Sequence, residues 1–311
     1  MSHAEFPIEP TADGSQTFYS ETFGEWFHSR EGAYAEAHHT YVEATGLVRR
    51  SRHQSHITLL DVCYGLGYNT AAALAALWHE QPDYPVEVIG LELDATVPRA
   101  AIAQGLTQGW PATVQAALHA LAQGQPPPLP LQGKLLIGDA RHHIQILAQS
   151  GWQADVIFFD PFSPPRCPQL WTVEFIRRVA QCLKPDGYLA TYSCAAAVRS
   201  ALSEAGLNIG ALRVAGRRWP STIASPTDTH LPPLSRQELE HLETRAAVPY
   251  RDPSLSDGAE VIHQRRSQEQ RISALQPTGA WRKRWLSGLA SPLAASRHGN
   301  PAEDIRHPET Q

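Results

Sequence analysis

Two stretches of the 311-residue chain concentrate residue types that can do chemistry. The first is Asp61-Val62-Cys63-Tyr64-Gly65-Leu66-Gly67, where an apolar run ends on an acid and turns on glycines. Glycine lets a backbone take positive φ and approach a ligand closely, so a strand, a glycine turn and a helix make a cofactor seat. That spacing names no cofactor by itself. A dinucleotide enzyme would show G-x-G-x-x-G, whereas Cys63 stands where its first glycine is usual, and the lysine and Ser/Thr of a phosphate-binding loop are missing. The second stretch, Asp160-Pro161-Phe162-Ser163-Pro164-Pro165, runs from an acid into prolines and an aromatic ring. Prolines fix the backbone, so carbonyls and ring are held at little entropic cost. A carboxylate in such a frame can hold an amine, favour its neutral form and take its proton, which is what transfer of a group to nitrogen needs. The plainer reading is a proline-rich loop leaving a strand.

The elements that must position these residues alternate between short apolar runs and helical segments, the pattern of a doubly wound, mostly parallel α/β sheet. Strands are predicted at 57–62, 86–91, 135–137, 156–159, 188–192 and 208–214, each nearly continuously apolar, as strands covered on both faces are. Helices are predicted at 69–78, 97–104, 112–121, 141–148, 170–183 and 196–205. In this frame Asp61, Glu92, Asp139 and Asp160 end successive strands and share the carboxyl edge, where open α/β sheets bind ligands. Glu92 stands where an acceptor for ribose hydroxyls would. Asp139, in Gly138-Asp139-Ala140-Arg141, is read as a helix cap, an adenine contact or both. S-adenosylmethionine carries an ammonium and a ribose but no phosphate, so it suits these acids.

With those residues placed, the chain resembles the methyltransferase part of the MnmC/MnmD family over about residues 10 to 225. The likeness is carried by the segment from Thr11 to Ser20, Gly24-Glu25-Trp26-Phe27-His28-Ser29, Gly32-Ala33, the two stretches above, Pro168-Gln169-Leu170-Trp171 and Leu189-Ala190-Thr191-Tyr192-Ser193. It implies a Rossmann-like methyltransferase in which Asp61, Gly65, Gly67, Asn69, Glu92, Asp139 and Ala140 surround S-adenosyl-L-methionine. Asp160 would face the target amine, and Phe162, Pro164, Trp171, Arg217 and Arg218 would contact the substrate. That substrate would be tRNA, whose wobble 5-aminomethyluridine becomes 5-methylaminomethyluridine without metal or covalent intermediate. Cys63, Pro161 and Ser163 depart from the family's usual residues and bear on fine pocket geometry. With no second glycine-rich region after Ser225, the chain is similar to the stand-alone form without a flavin oxidase.

The domain plan expected is an N-terminal extension (1–50) on the substrate side, a methyltransferase domain (51–228), and a C-terminal appendage (229–311), partly disordered because its Pro, Arg, Gln, Glu and Ser buries little. The formal charge of −5 advertises no polyanionic partner, so phosphate contacts would need local clusters. The candidates are Arg49, Arg50 and Arg52; Arg213, Arg217 and Arg218 beside Trp219; and Arg282-Lys283-Arg284 between Trp281 and Trp285. Four cysteines in no CxxC pair suit reduced thiols and a cytoplasmic protein. His38-His39 and His142-His143 show no third ligand at a useful spacing, so no metal is expected. No apolar stretch is long enough to span a bilayer. The competing functions are N-methylation of a small-molecule or protein amine, a non-catalytic nucleotide-binding module and, more distantly, a dinucleotide dehydrogenase.

Overall fold

The computed structural model of the chain describes residues 6–213 and 219–286. An N-terminal segment forms β1 (Ile8–Pro10), β2 (Gln16–Ser20) and β3 (Glu25–Trp26), a small antiparallel sheet in that order. It leads into α1 (Ala33–Glu36), a π-helical stretch (Ala37–Glu43) and α2 (Leu47–Ser51). The central sheet then begins with β4 (Ile57–Val62), α3 (Tyr68–Glu80), β5 (Val86–Glu92), α4 (Thr96–Ala103) and α5 (Ala112–Ala122). It continues with β6 (Leu131–Ile137), α6 (Ala140–Ser150), β7 (Ala154–Phe159), α7 (Val173–Gln181), β8 (Leu183–Thr191) and α8 (Ala196–Glu204). β9 (Asn208–Leu212) and β10 (Ser221–Ser225) close the sheet, and α9 (Arg236–Leu242), α10 (Ala259–Ile272) and α11 (Thr278–Leu286) follow.

The seven strands lie in the order β6-β5-β4-β7-β8-β10-β9. Pairings from β6 through β8 are parallel; β10 runs antiparallel to both neighbours. Both faces of the central strands are buried: Ile57, Leu59, Val88, Val156 and Phe158 pack with α3, α4 and α5, while Leu60, Val62, Leu91, Ile157 and Phe159 pack with α6, α7 and α8. Alternate residues thus feed two separate cores, which is why these strands read as unbroken apolar runs. The doubly wound, mostly parallel sheet is as expected.

Several elements differ from the sequence reading. β6 begins at Leu131, four residues before the expected strand, because an edge strand alternates polar and apolar residues and Gln132 and Lys134 mask it. The predicted helix at 170–183 is divided: a 3₁₀ turn (Pro168–Trp171) precedes α7, whose start is capped by Thr172 Oγ1 accepting from the Phe175 amide at 3.3 Å. β10 went unseen because Ser221-Thr222-Ile223-Ala224-Ser225 is short and half polar, although all five residues are buried. The alanine-rich α3 is buried almost all round, lying between the sheet and the π-helical stretch, a position that only small side chains allow.

As far as Leu286, the C-terminal appendage is helical. α9 opens on a capping box of Ser235 and Glu238. α10 buries only Ile262, and its arginines secure it: Arg265 pairs with Asp257 at 2.7 Å, and Arg266 donates to the Val248 and Ala246 carbonyls. Polar fastening of this kind leaves little hydrophobic periodicity to read. Residues 287–311 lie outside the described residues. Among the described residues no helix is long and apolar enough to cross a membrane.

Candidate active site

The turn after β4 sits at the carboxyl edge and is laced to β5. Cys63 and Tyr64 donate their amides to the Leu91 carbonyl at 3.0 and 2.9 Å, and the Gly65 amide donates to Glu92 Oε2 at 2.8 Å. Gly67 is the residue before α3, at φ 84°, and a Cβ there would stand 2.6 Å from the Tyr64 hydroxyl. Only glycine fits. Cys63 itself adopts φ 69°, the left-handed conformation a glycine would take freely. The departure from the family's glycine therefore leaves the turn's path intact, at a backbone cost of about 1–3 kcal/mol.

Three carboxylates converge here. Asp61 is fully buried; its Oδ2 accepts from Thr70 Oγ1 at 2.7 Å and its Oδ1 has no partner. Burial, reinforced by the Asp160 and Glu92 charges, pushes its pKa up to about 8 against the Thr70 hydrogen bonds. Glu92 is 8% exposed, accepts from the Gly65 and Asp94 amides, and is shifted upward by burial. Asn69, in the first turn of α3, donates Nδ2 to Asp160 Oδ2 at 2.8 Å and keeps its own Oδ1 buried and unpartnered. Buried oxygens without donors, next to a turn that excludes side chains, match a ligand bringing ammonium and hydroxyl donors, as S-adenosylmethionine does.

Asp139 lies at the same edge and is committed to structure. It caps α6 through the Arg141 amide at 2.9 Å and pairs with the Arg141 guanidinium at 2.7 Å, which outweighs its partial burial and holds its carboxyl below the usual range. Ala140 follows as the first, buried residue of α6.

On the acceptor side, Asp160 follows β7 and donates its amide to the Val62 carbonyl at 3.1 Å. The next carbonyls are each held by a side chain: Pro161 O accepts from Tyr192 Oη at 2.9 Å and Phe162 O from Trp171 Nε1 at 2.8 Å. Glu25, from the N-terminal sheet, accepts from the Ser163 amide at 2.9 Å and from the Ser163 hydroxyl. Side chains from distant elements thus hold the loop, in addition to its prolines. The Phe162 ring stacks on Phe23 at 4.4 Å and meets Phe27 edge-on at 4.9 Å, so the N-terminal sheet supplies an aromatic wall beside the carboxylate. Burial first, then the Asp160 charge, raises the phenols of Tyr41 and Tyr192 well above their usual range and keeps both neutral.

Two substrate assignments need correction. Trp171 is fully buried among Phe159, Tyr192 and the second core, so it braces the loop and has no surface for a substrate. Pro164 is likewise buried and shapes the loop from within. Arg217 and Arg218 lie outside the described residues. Of the other basic clusters, Arg50 pairs with Asp186, Arg52 with Glu80 and Arg284 with Glu240. A third ligand does stand near His38 and His39: Glu43, which the π-helical winding brings to 3.5 and 2.6 Å of their Nδ1 atoms, in a cluster on the protein surface. Sequence reasoning missed Phe23, Glu25, Phe27 and Tyr41 as site residues. The first three flank or lie within the Gly24–Ser29 segment on which the family likeness rests, but nothing in linear spacing ties them to Phe162 and Ser163, in Glu25's case 138 positions away.

A family model described as S-adenosyl-L-methionine-dependent methyltransferase matches residues 98–227. The solved structure of MnmC2 from Aquifex aeolicus superposes with a TM-score of 0.76 at 31% identity, covering 86% of each chain. The chain belongs to the MnmC methyltransferase family. Its cofactor is therefore S-adenosyl-L-methionine and its reaction a methyl transfer. Among sequences, the tRNA 5-methylaminomethyl-2-thiouridine biosynthesis bifunctional protein MnmC of Cupriavidus necator is 29% identical over 263 residues, 77% of this chain and 38% of that protein. The Azoarcus protein of the same name is 32% identical over 222 residues, 65% of this chain and 33% of that one. The chain thus spans little more than a third of these bifunctional relatives.

Proposed function

We propose that this MnmC-type enzyme methylates the exocyclic amine of 5-aminomethyluridine, with or without 2-thiolation, at the tRNA wobble position, giving 5-methylaminomethyluridine. The observation that carries the reading is Asp160 itself, held by Asn69 at the mouth of the glycine turn and flanked by the Phe162, Phe23 and Phe27 rings. The bound cofactor supplies an electrophilic methyl group. Asp61 and Glu92 offer buried acceptors to its ammonium and ribose, and Gly65 and Gly67 let it lie against the backbone. Asp160 hydrogen-bonds the incoming amine and takes the proton that nitrogen gives up on gaining the methyl. The aromatic wall receives the uracil ring by stacking, which suits a base unstacked from a single-stranded loop. Asp160, Asn69 and the carbonyl-pinned loop fix the amine's line of approach, where geometry can contribute several powers of ten in rate.

Mass spectrometry of nucleosides from undermethylated tRNA, incubated with the protein and S-adenosylmethionine, tests this. One added methyl group on the wobble 5-aminomethyluridine is expected. Methylation of small amines or proteins with tRNA left unchanged would overturn it.

A further inference from the structure

A trough of about 820 Å³ opens beside the acceptor loop, between the β2–β3 connection, the end of the loop and one face of α10. That volume lies at the upper end for a single small molecule, about 300–1,000 Å³. The α10 wall presents His263, Gln264, Ser267, Gln268 and Arg271, two neighbouring rows, His263-Ser267-Arg271 and Gln264-Gln268, each spaced by four and therefore on one helical face. Glu260 is the acid on that face, and it already accepts from Gln264 Nε2 at 3.1 Å. Across the trough stand Phe23 and Arg166, whose guanidinium lies against Gly24.

The arginines here differ from those around them. Arg141, Arg251, Arg265 and Arg266 are consumed by carboxylates or carbonyls that fasten the appendage. Arg166 and Arg271 are exposed and, among the described residues, donate their guanidinium groups to no protein acceptor. The trough also leads to the chemistry. His263 Nε2 meets the Pro165 carbonyl at 3.1 Å, docking α10 on the loop, and Phe23 stacks on Phe162, two residues from Asp160.

We propose that this trough binds the phosphodiester backbone of the RNA next to the methylated nucleotide, with Arg166 and Arg271 on phosphates and the amides and hydroxyl of α10 as further donors. The inference rests on the tRNA reading above. Cations on opposite walls, neutral donors between them and stacked rings at the head are the features of a single-stranded nucleic-acid track. The C-terminal appendage thereby becomes part of the substrate site, which its position after the methyltransferase domain would not indicate.

The test measures binding of tRNA bearing 5-aminomethyluridine to the full chain across a salt series, for wild type, Arg166→Gln, Arg271→Gln, the double variant and Gln268→Glu. Melting temperature and S-adenosylmethionine affinity are followed in parallel to confirm folding. Each arginine change should weaken tRNA binding by about tenfold and lower the slope of log K against log salt by about one per lost phosphate contact. Gln268→Glu should weaken binding with both arginines in place. If wild type binds and methylates tRNA while the double variant matches it in affinity and salt slope, the trough assignment falls and the tRNA reading stands. If wild type neither binds nor methylates tRNA, both fall.

Discussion

At the residue scale, the site is a set of carboxylates kept apart in role by their surroundings. Asp160 is half-buried and accepts from the Asn69 amide; Asp61 is fully buried and shifted to about 8. Asp160→Ala should leave S-adenosylmethionine affinity largely intact and lower methyl transfer by about 10²–10⁴-fold, the usual contribution of a positioned base. Asn69→Ala should lose part of the same factor, since it leaves Asp160 present but unanchored; single-turnover kinetics would rank the two, and full activity in both would refute the assignment. Asp61 carries a pH prediction. Its folded pKa lies above the unfolded value, so between about pH 4 and 8 the native state holds a proton that the unfolded chain releases. Its contribution to stability is therefore complete below pH 4 and is lost as pH rises through 8. Asp61→Asn should flatten that part of the melting-temperature profile. Cofactor binding, which favours the ionised form, should strengthen from pH 6 to 8 in wild type and less so in the variant; calorimetry in buffers of different ionisation enthalpy would detect the released proton.

At the scale of elements, the acceptor loop depends on partners that are remote in sequence. Glu25 reaches from β3 to grip Ser163, and Tyr192 and Trp171 pin the carbonyls before it. Glu25→Ala should release the loop's far end and lower kcat/KM for the nucleic-acid substrate by about 10–100-fold, the scale expected of a displacement near 1 Å. Cofactor affinity should hardly move, because the Glu25 carboxylate accepts from the Ser163 amide and hydroxyl of the loop and not from the glycine turn. Equal losses in cofactor affinity and kcat/KM would show instead that the N-terminal sheet supports the whole site.

For the whole molecule, the appendage is tied to the catalytic domain by a buried ion pair. Asp252 is fully buried and pairs with Arg141 at 2.9 Å, and Arg141 in turn holds Asp139 at the cofactor edge. Removing Asp252 leaves Arg141 still paired with Asp139 and donating to the Asp257 carbonyl, so the cost stays below the figure of about 3–5 kcal/mol for a wholly unpaired buried charge. Asp252→Ala should therefore lower the melting temperature by several degrees and weaken S-adenosylmethionine binding as Arg141 reorients. A melting curve matching wild type would mean the appendage is only loosely attached.

The central strands, the glycine turn, the acids at strand ends and the Asp160 loop were all legible in the sequence, because continuous apolar runs and turn residues are local signals. β6 and β10 were obscured by polar residues on buried or edge positions, and α10 by an almost wholly polar helix whose stability comes from ion pairs. Residue types and order alone determined that an acid would leave the fourth main strand into a stiff loop near a nucleoside site. Only the tertiary structure decided what holds that loop, that Trp171 braces it from the core, and that α10 returns to flank it. The physical reason is that hydrogen bonds, ring stacking and buried ion pairs between Glu25 and Ser163, Phe23 and Phe162, or Arg141 and Asp252 join segments more than a hundred residues apart and leave no periodicity in the chain.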